Sequence, residues 1–192
     1  MFIMRRYLRT IIASALLIAH LGASQAVLAQ QETPILDGLF ASLQQAQDAG
    51  DAARITSEIW TRWSTHPSDD TITARLNRGV TMMNQGDYVH AEALFTDIIA
   101  EDPLFAEAWN KRATLYYIQG KQDASRYDIA QTLILEPRHF GALSGLGMIE
   151  LSAGNYAQAL RAYEQAVAVN PHMMQANEII ENLKEKLRGI AL

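Results

Sequence analysis

Apolar residues recur three and four positions apart along most of the chain, which is the pattern of amphipathic helices. Near the C-terminus the pattern predicts two helices joined by a turn at Gly154, because glycine can end a helix in a left-handed conformation. Pro171 closes the second helix. The buried faces of this pair are predicted to hold Leu143, Leu146, Gly147 and Leu151, then Ala159, Leu160, Tyr163, Ala166 and Val167.

The same helix pair is predicted several times over. Prolines recur every 34 residues and a glycine stands 17 residues before each: Pro103, Pro137 and Pro171 follow Gly86, Gly120 and Gly154. Upstream, Gly50 and Pro67 repeat the 17-residue interval. Two extra residues separate Pro67 from the next glycine, so we expect a longer turn in the polar run 68–70. A period of this length predicts a solenoid of stacked helix pairs.

Small residues at fixed positions narrow the repeat type. They lie 24 and 12 residues before the three prolines: Gly79, Ala113 and Gly147, then Ala91, Ser125 and Ala159. This combination resembles the tetratricopeptide repeat, in which two antiparallel helices pack through small residues. The resemblance implies an all-α fold, a right-handed α-solenoid of about four repeat units and a C-terminal capping helix. The solenoid domain is predicted over residues 36–192, with units at 36–69, 72–105, 106–139 and 140–173 and the cap at 174–188.

Two details of the repeats carry structural expectations. In the first unit Leu43 and Ile55 stand where small residues are expected, so that helix pair is expected to be splayed or shifted. Arg112 occupies a position where the repeat more often has leucine. The resemblance implies an internal ion pair with the second helix, for which Asp128, 16 residues later, is the apt partner.

The resemblance also implies that the first helices of the repeats line a concave, peptide-binding groove. Spacing assigns a set of first-helix positions to this groove, Glu107 among them. Six of the positions are predicted to bind the peptide: Asn77, Asn110, Lys111, Thr114, Tyr117 and Ser144. Asparagine and lysine can bind a peptide backbone and a carboxylate, and a tyrosine can stack on an apolar residue. Small residues at 141, 144 and 145 are expected to let a peptide backbone come close. Ordinary exposed helix positions are the alternative explanation for all of these residues.

The N-terminal residues have the order of a secretory signal. Arg5, Arg6 and Arg9 precede the apolar run 11–21, and small or tolerated residues at 27–29 precede Gln30. We therefore predict a signal peptide over residues 1–29, a leader over 30–35 and a periplasmic location. The apolar run is shorter than the roughly 18–20 residues that span a bilayer, so no stable membrane anchor is expected after cleavage. Retention of the segment as an anchor is the less favoured alternative.

Charge and composition exclude several function classes. The chain has 16 basic and 21 acidic residues, and removal of the three signal arginines leaves 13 − 21 = −8, which disfavours nucleic acid as a partner. Cysteine is absent, and no zinc-protease motif, phosphate loop or nucleophile elbow occurs. No catalytic residue, metal site or cofactor is predicted. Glu178, Glu181 and Glu185 share a helical face that could hold a cation, but the interleaved Lys184 and Lys186 favour a solvated surface.

The favoured hypothesis is therefore a non-catalytic periplasmic scaffold or adaptor that binds an extended segment of an envelope protein in the concave groove. A second hypothesis is a structural subunit that self-associates into a homo-oligomer through apolar repeat ends. An exported enzyme is a distant third.

Overall fold

The computed structural model describes residues 34–190, and all regular secondary structure in that range is helical. The signal peptide predicted over residues 1–29 lies outside the described residues. Helix α1 covers described residues 34–45. It is followed by α2 (Ala49–Ser64), α3 (Asp70–Asn84), α4 (Tyr88–Glu101), α5 (Ala106–Ile118), α6 (Gln122–Leu135), α7 (Phe140–Ser152), α8 (Tyr156–Val169) and α9 (Met174–Ile190). Within residues 34–190 no helix is both long and apolar enough to cross a membrane.

The chain divides into two compact units, Met1–Gly38 and Leu39–Leu192. In the second unit the helices from α3 to α8 pack in consecutive pairs, α3 with α4, α5 with α6 and α7 with α8. Neighbouring pairs contact each other through α4 and α5 and through α6 and α7, and α9 packs on α8 at the end of the stack. The all-α solenoid of helix pairs predicted from the sequence is confirmed.

Glycine ends the first helix of each regular pair in the predicted conformation. The φ angle is 81° at Gly86, 74° at Gly120 and 76° at Gly154, a region that residues with a Cβ rarely adopt. After the first of these glycines the backbone N–H of Asp87 donates to the carbonyl oxygen of Met82 at 2.9 Å, which closes the end of α3. The chain then reverses direction and begins the second helix of the pair.

Small residues bring the two helices of a pair close to each other. A Cβ atom at Gly79 would lie 2.5 Å from Cε1 of Phe95, and one at Gly147 would lie 2.7 Å from Cε2 of Tyr163. Both distances are too short for van der Waals contact. An aromatic ring from the second helix therefore rests directly on the backbone of the first.

Two polar contacts join α5 to α6. Ser125 stands where the repeat usually has alanine. Its Oγ donates to the carbonyl oxygen of Ala113 at 2.8 Å, so the buried hydroxyl has a hydrogen-bond partner. Arg112 binds the buried carboxylate of Asp128 with two parallel hydrogen bonds, from Nε at 2.7 Å and from Nη2 at 2.9 Å. The predicted pair between Arg112 and Asp128 is confirmed, and its two-bond geometry fixes the register of the helices.

The first helix pair departs from the regular stack. Among the helices from α2 onward, α2 packs chiefly against α5 and not against α3, its neighbour in sequence. The turn between α2 and α3 covers residues 65–69, and Asp69 caps α3 by accepting a hydrogen bond from the backbone N–H of Thr71 at 2.7 Å. The first pair is therefore shifted, and α2 lies against the inner helices of the third and fourth pairs.

The close approach at Gly147 can be tested against Gly145 on the same helix. Gly147→Ala should lower the free energy of unfolding by about 1–3 kcal/mol, because the new Cβ overlaps the ring of Tyr163. At Gly145 the nearest atom to a Cβ is Cδ1 of Ile129 at 3.4 Å, an ordinary contact. Gly145→Ala should therefore stabilise α7 by up to about 1 kcal/mol through helix propensity. Urea denaturation measures both changes, and a loss of stability of equal size in the two variants would contradict the assigned packing.

Candidate functional site

Four of the six predicted groove residues lie around one narrow cleft between α5 and α7. Asn110, Thr114 and Tyr117 line this cleft from α5 and Ser144 lines it from α7; its volume is about 170 Å³. Asn77, on α3, is exposed and does not belong to the lining. The structure therefore brings together most of the predicted residues of the third and fourth repeats but not that of the second.

Asn110 and Lys111 are already engaged by a buried carboxylate. The side chain of Glu107 has no exposed surface, and its Oε1 lies 2.7 Å from Nζ of Lys111. Its Oε2 accepts a hydrogen bond from Nδ2 of Asn110 at 3.0 Å and lies 2.9 Å from Nε2 of His139. Because Nδ1 of His139 accepts a hydrogen bond from the backbone N–H of Ala142, the ring proton is on Nε2, which donates to Glu107. This buried cluster joins α5 to the first turn of α7 and neutralises Lys111.

The pKa of Glu107 reflects these partners. Burial alone raises the pKa of a carboxyl group, because it disfavours the charged form. Here the hydrogen bond from His139 and the charge of Lys111 outweigh burial, and the pKa of Glu107 lies below its ordinary value of 4.5. The carboxylate is therefore ionised at neutral pH and keeps its three partners, Lys111, Asn110 and His139, in place.

Two tryptophans of α2 cover the buried cluster. The ring of Trp63 stacks on the imidazole of His139, with ring centroids 4.0 Å apart and an angle of 14° between the planes. Nζ of Lys111 lies 5.2 Å from the centroid of the Trp60 ring, within the range of a cation–π interaction. A Cβ at Gly141 would lie 2.5 Å from a ring carbon of Trp60. The glycine at the start of α7 therefore makes room for a side chain of the same protein.

A wider cleft continues from the narrow one toward α9. Its volume is about 710 Å³, and Tyr117, Ser144 and Met148 line both clefts. The rest of its lining consists of Leu151, Ser152, Tyr163, His172, Met173, Met174, Gln175, Ala176 and Ile179. Among the residues that the structure describes, no lysine, arginine, aspartate or glutamate lines it.

One hydroxyl of the shared wall has no partner. The Oγ of Ser144 is buried and makes no hydrogen bond, whereas Thr114 donates to the carbonyl oxygen of Asn110 and Ser152 to that of Met148. A buried polar atom without a partner is uncommon in native structures. The wall of the cleft thus combines apolar surface with one unused hydrogen-bonding group.

The sequence prediction placed Glu107 in the groove but did not include its contact with His139 or the contacts of the two tryptophans. Glu107 stands four residues before Lys111, which is the spacing of an ion pair within one helix, so this contact had a signal in the sequence. The contacts of Trp60 and Trp63 had no such signal in the sequence. These contacts join parts of the chain that are far apart, and the repeat register does not predict them.

The possible cation site on α9 can be compared with the structure. In residues 34–190 no group of three or more histidine, aspartate or glutamate side chains is arranged to hold a metal ion. In the acidic set of α9, Oε1 of Glu181 lies 3.2 Å from Nζ of Lys184, as expected for a solvated helix surface.

Comparison with known proteins agrees with this architecture. Sequence models of the tetratricopeptide repeat match residues 76–137 and 140–173. A TPR repeat-containing protein of Rhizobium etli is 36% identical over 154 residues, which cover 80% of this chain and 75% of that protein. The chain belongs to the tetratricopeptide repeat family. Membership of this family supports the prediction that this TPR protein is not an enzyme.

Solved TPR structures share the fold at low sequence identity. The first TPR of Spaghetti (RPAP3) bound to the HSP90 peptide SRMEEVD has a TM-score of 0.58 and 20% identity, covering 61% of this chain and 93% of that one. The Yersinia enterocolitica type III secretion chaperone SycD, in complex with a peptide of the translocator YopD, also has a TM-score of 0.58, at 14% identity. It covers 64% of this chain and 98% of that one.

The Glu107 cluster predicts a specific pH dependence of stability. Because the pKa of Glu107 is lower in the folded than in the unfolded protein, its contribution is fully present above pH about 4.5 and is lost as the pH falls through the folded value. Glu107→Gln removes this contribution and also deprives Lys111 of its partner. Urea denaturation should show the variant less stable than the wild type at pH 7, with the difference shrinking below pH about 4.5. A difference that stays constant between pH 7 and pH 3 would contradict the assignment.

Proposed function

We propose that this TPR protein is a non-catalytic scaffold that binds an extended, uncharged segment of another protein in the wide cleft bounded by α5, α7 and α9. The observation that carries the proposal is the cleft itself. It is large enough for several side chains, its lining is mostly apolar, and its wall holds the hydroxyl of Ser144, which makes no hydrogen bond within the protein. A concave apolar site with a few polar groups is the usual form of a binding site.

The lining favours apolar side chains in the bound segment. Met148, Met173 and Met174 stand along the cleft, and methionine side chains adapt to ligands of different shape. His172 also lines the cleft, and its Nε2 lies 3.0 Å from the carbonyl oxygen of Leu43. Since no cation lines the cleft, binding should change little with added salt.

The solved neighbours support a peptide ligand in general terms. Both of the solved neighbours described above have a peptide bound, one from HSP90 and the other from a translocator. Because their identity to this chain is low, these structures support a peptide as the kind of ligand but do not indicate its sequence. Binding of a peptide carboxylate by Asn110 and Lys111 remains a prediction, and it requires Lys111 to exchange Glu107 for the ligand.

Met148 offers the clearest test of the cleft, because its side chain is 41% exposed and lines both clefts. We expect peptides selected by the full-length protein from a random library to be apolar and uncharged. Met148→Glu should weaken their binding at least about tenfold, because it places a charge on the apolar wall. Binding is measured by fluorescence anisotropy and helicity by circular dichroism.

Val89→Glu is the matched control for this change. Val89 is 76% exposed on α4 and lines neither cleft, so the same substitution there should leave binding unchanged. If Met148→Glu and Val89→Glu bind the selected peptides equally well, the cleft is not the binding site. The double variant Asn110→Ala/Lys111→Ala is less suitable, because it leaves Glu107 buried without two of its partners and so perturbs folding.

We also propose that the protein acts in the periplasm on an envelope protein, on the strength of the signal-like order of its N-terminal residues. The protein recovered from the periplasm of a Gram-negative host should begin near Gln30, because the small residues at 27–29 fit signal peptidase cleavage. N-terminal sequencing of the fractionated protein measures this directly. A product that begins at Met1 and sediments with membranes would contradict the proposal and would indicate that the segment is retained as an anchor.

A further inference from the structure

The helices before the regular repeats lie on the inner face of the stack as a bound ligand would. We call residues 39–64 the N-terminal hairpin; within it the rings of Phe40 and Trp63 are 6.0 Å apart. Instead of packing chiefly on α3, the hairpin places α2 against α5 and against the start of α7. Its tryptophans reach helices that belong to later repeats.

The surface beneath α2 is shaped for two aromatic rings on one helix face. Trp60 and Trp63 are three residues apart, so their side chains project from the same side of α2. One ring stacks on His139, and the other contacts Lys111 and fills the space left open at Gly141. The surface under α2 therefore offers an imidazole on which one indole stacks, a cation that faces the other indole, and open space at Gly141 for that second ring.

The two helices of the hairpin are held differently away from the tryptophans. The end of α1 is hydrogen-bonded to the segment after α8: Nε2 of Gln44 donates to the carbonyl oxygens of Ala168 and Val169 at 2.8 Å, and Nε2 of His172 lies 3.0 Å from the carbonyl oxygen of Leu43. A cleft of about 680 Å³ separates the small residues of α2, Ala49, Ala52 and Ala53, from the loop at 170–173 and the start of α9. One long hydrogen bond, 3.4 Å from Nδ2 of Asn170 to Oγ1 of Thr56, crosses near it. Nε1 of Trp63 is buried without an acceptor. Around the tryptophans α2 therefore leaves an unfilled cleft and one indole N–H without a partner, whereas the end of α1 is well hydrogen-bonded.

We infer that the inner face of α5 and α7 is a binding site for a helical segment of a partner protein with two aromatic side chains three residues apart, and that α2 occupies this site as an intramolecular ligand. A partner helix of this kind binds by displacing α2, while the turn 65–69 stays attached to the stack through the buried His66, whose Nε2 lies 2.8 Å from Oδ2 of Asp102. The site is separate from the wide cleft proposed above, although both lie on the inner face. Failure of one proposal therefore leaves the other standing.

The tether determines what an experiment should find. A short connection keeps α2 at a high effective concentration, in the millimolar range for flexible linkers, so a separate copy of the helix competes poorly for the occupied site. Vacating the site removes that competition. The apparent affinity for a ligand in solution then rises in proportion to the fraction of molecules whose site is open.

The test uses the full chain and a fluorescent peptide of residues 48–66, which contains α2. The variant Trp60→Ala/Trp63→Ala should bind this peptide with a Kd at least about tenfold lower than that of the unmodified protein, as measured by anisotropy. The same peptide with both tryptophans replaced by alanine should not bind. If the double variant loses helicity by circular dichroism, the single variant Trp60→Ala takes its place, because it weakens the seating of α2 and leaves the receiving surface, including the space at Gly141, unchanged.

A cross-link provides the opposite test. Nε2 of Gln44 donates to the carbonyl oxygen of Ala168 at 2.8 Å, and both residues are exposed. Because the chain has no cysteine, Gln44→Cys/Ala168→Cys introduces one unique pair that a short bis-maleimide can bridge. The bridged protein should bind the peptide at least about tenfold more weakly than the same protein with each cysteine singly capped.

Two results would overturn the inference. One is a folded vacated variant that binds the tryptophan peptide no better than the unmodified protein does. The other is equal peptide binding by the bridged and the capped protein. Met148→Glu should leave binding of this peptide unchanged, which separates the outcome from that of the wide cleft.

Discussion

The buried carboxylate of Glu107 is the group on which the inner face of this solenoid depends. A charge without exposed surface must be paired and hydrogen-bonded, because its desolvation is otherwise too costly. Lys111 and Asn110 supply partners from the same helix, and His139 supplies one from the start of α7. His139 also caps α7 and carries the ring of Trp63. One charged group therefore holds three features in place: the spacing of two repeats, the N-terminus of α7 and the position of α2.

The regular part of the fold could be predicted because each of its constraints acts locally and recurs. A left-handed residue at Gly120 ends one helix whatever lies elsewhere, and Pro137 stops the next. The pair between Arg112 and Asp128 could be predicted for the same reason, since helix geometry and a hairpin fix both positions. Such rules need no knowledge of parts of the chain that are distant in sequence.

The site could be predicted only in part. Thr114, Tyr117 and Ser144 line the inner clefts, as the repeat register requires of first-helix positions. The placement of α2 breaks that register, because its energy comes from contacts that occur once, such as the fit of Trp60 against Gly141. No periodic pattern encodes a contact of this kind. The sequence did show that the first repeat was irregular, but it did not show where the irregular helices would pack.

The small residues of α7 illustrate how one sequence pattern can have several physical causes. Gly141, Ser144 and Gly145 together resemble a smooth wall for a peptide backbone, yet the structure gives each a different environment. Gly141 lies against Trp60 of the same chain, and a Cβ at Gly145 would make only an ordinary contact with Ile129. Ser144 alone combines a place in the cleft with an unused hydrogen-bonding group. Binding in the wide cleft therefore depends on Ser144 and the methionines beside it, whereas Gly141 determines whether α2 can occupy the site next to it.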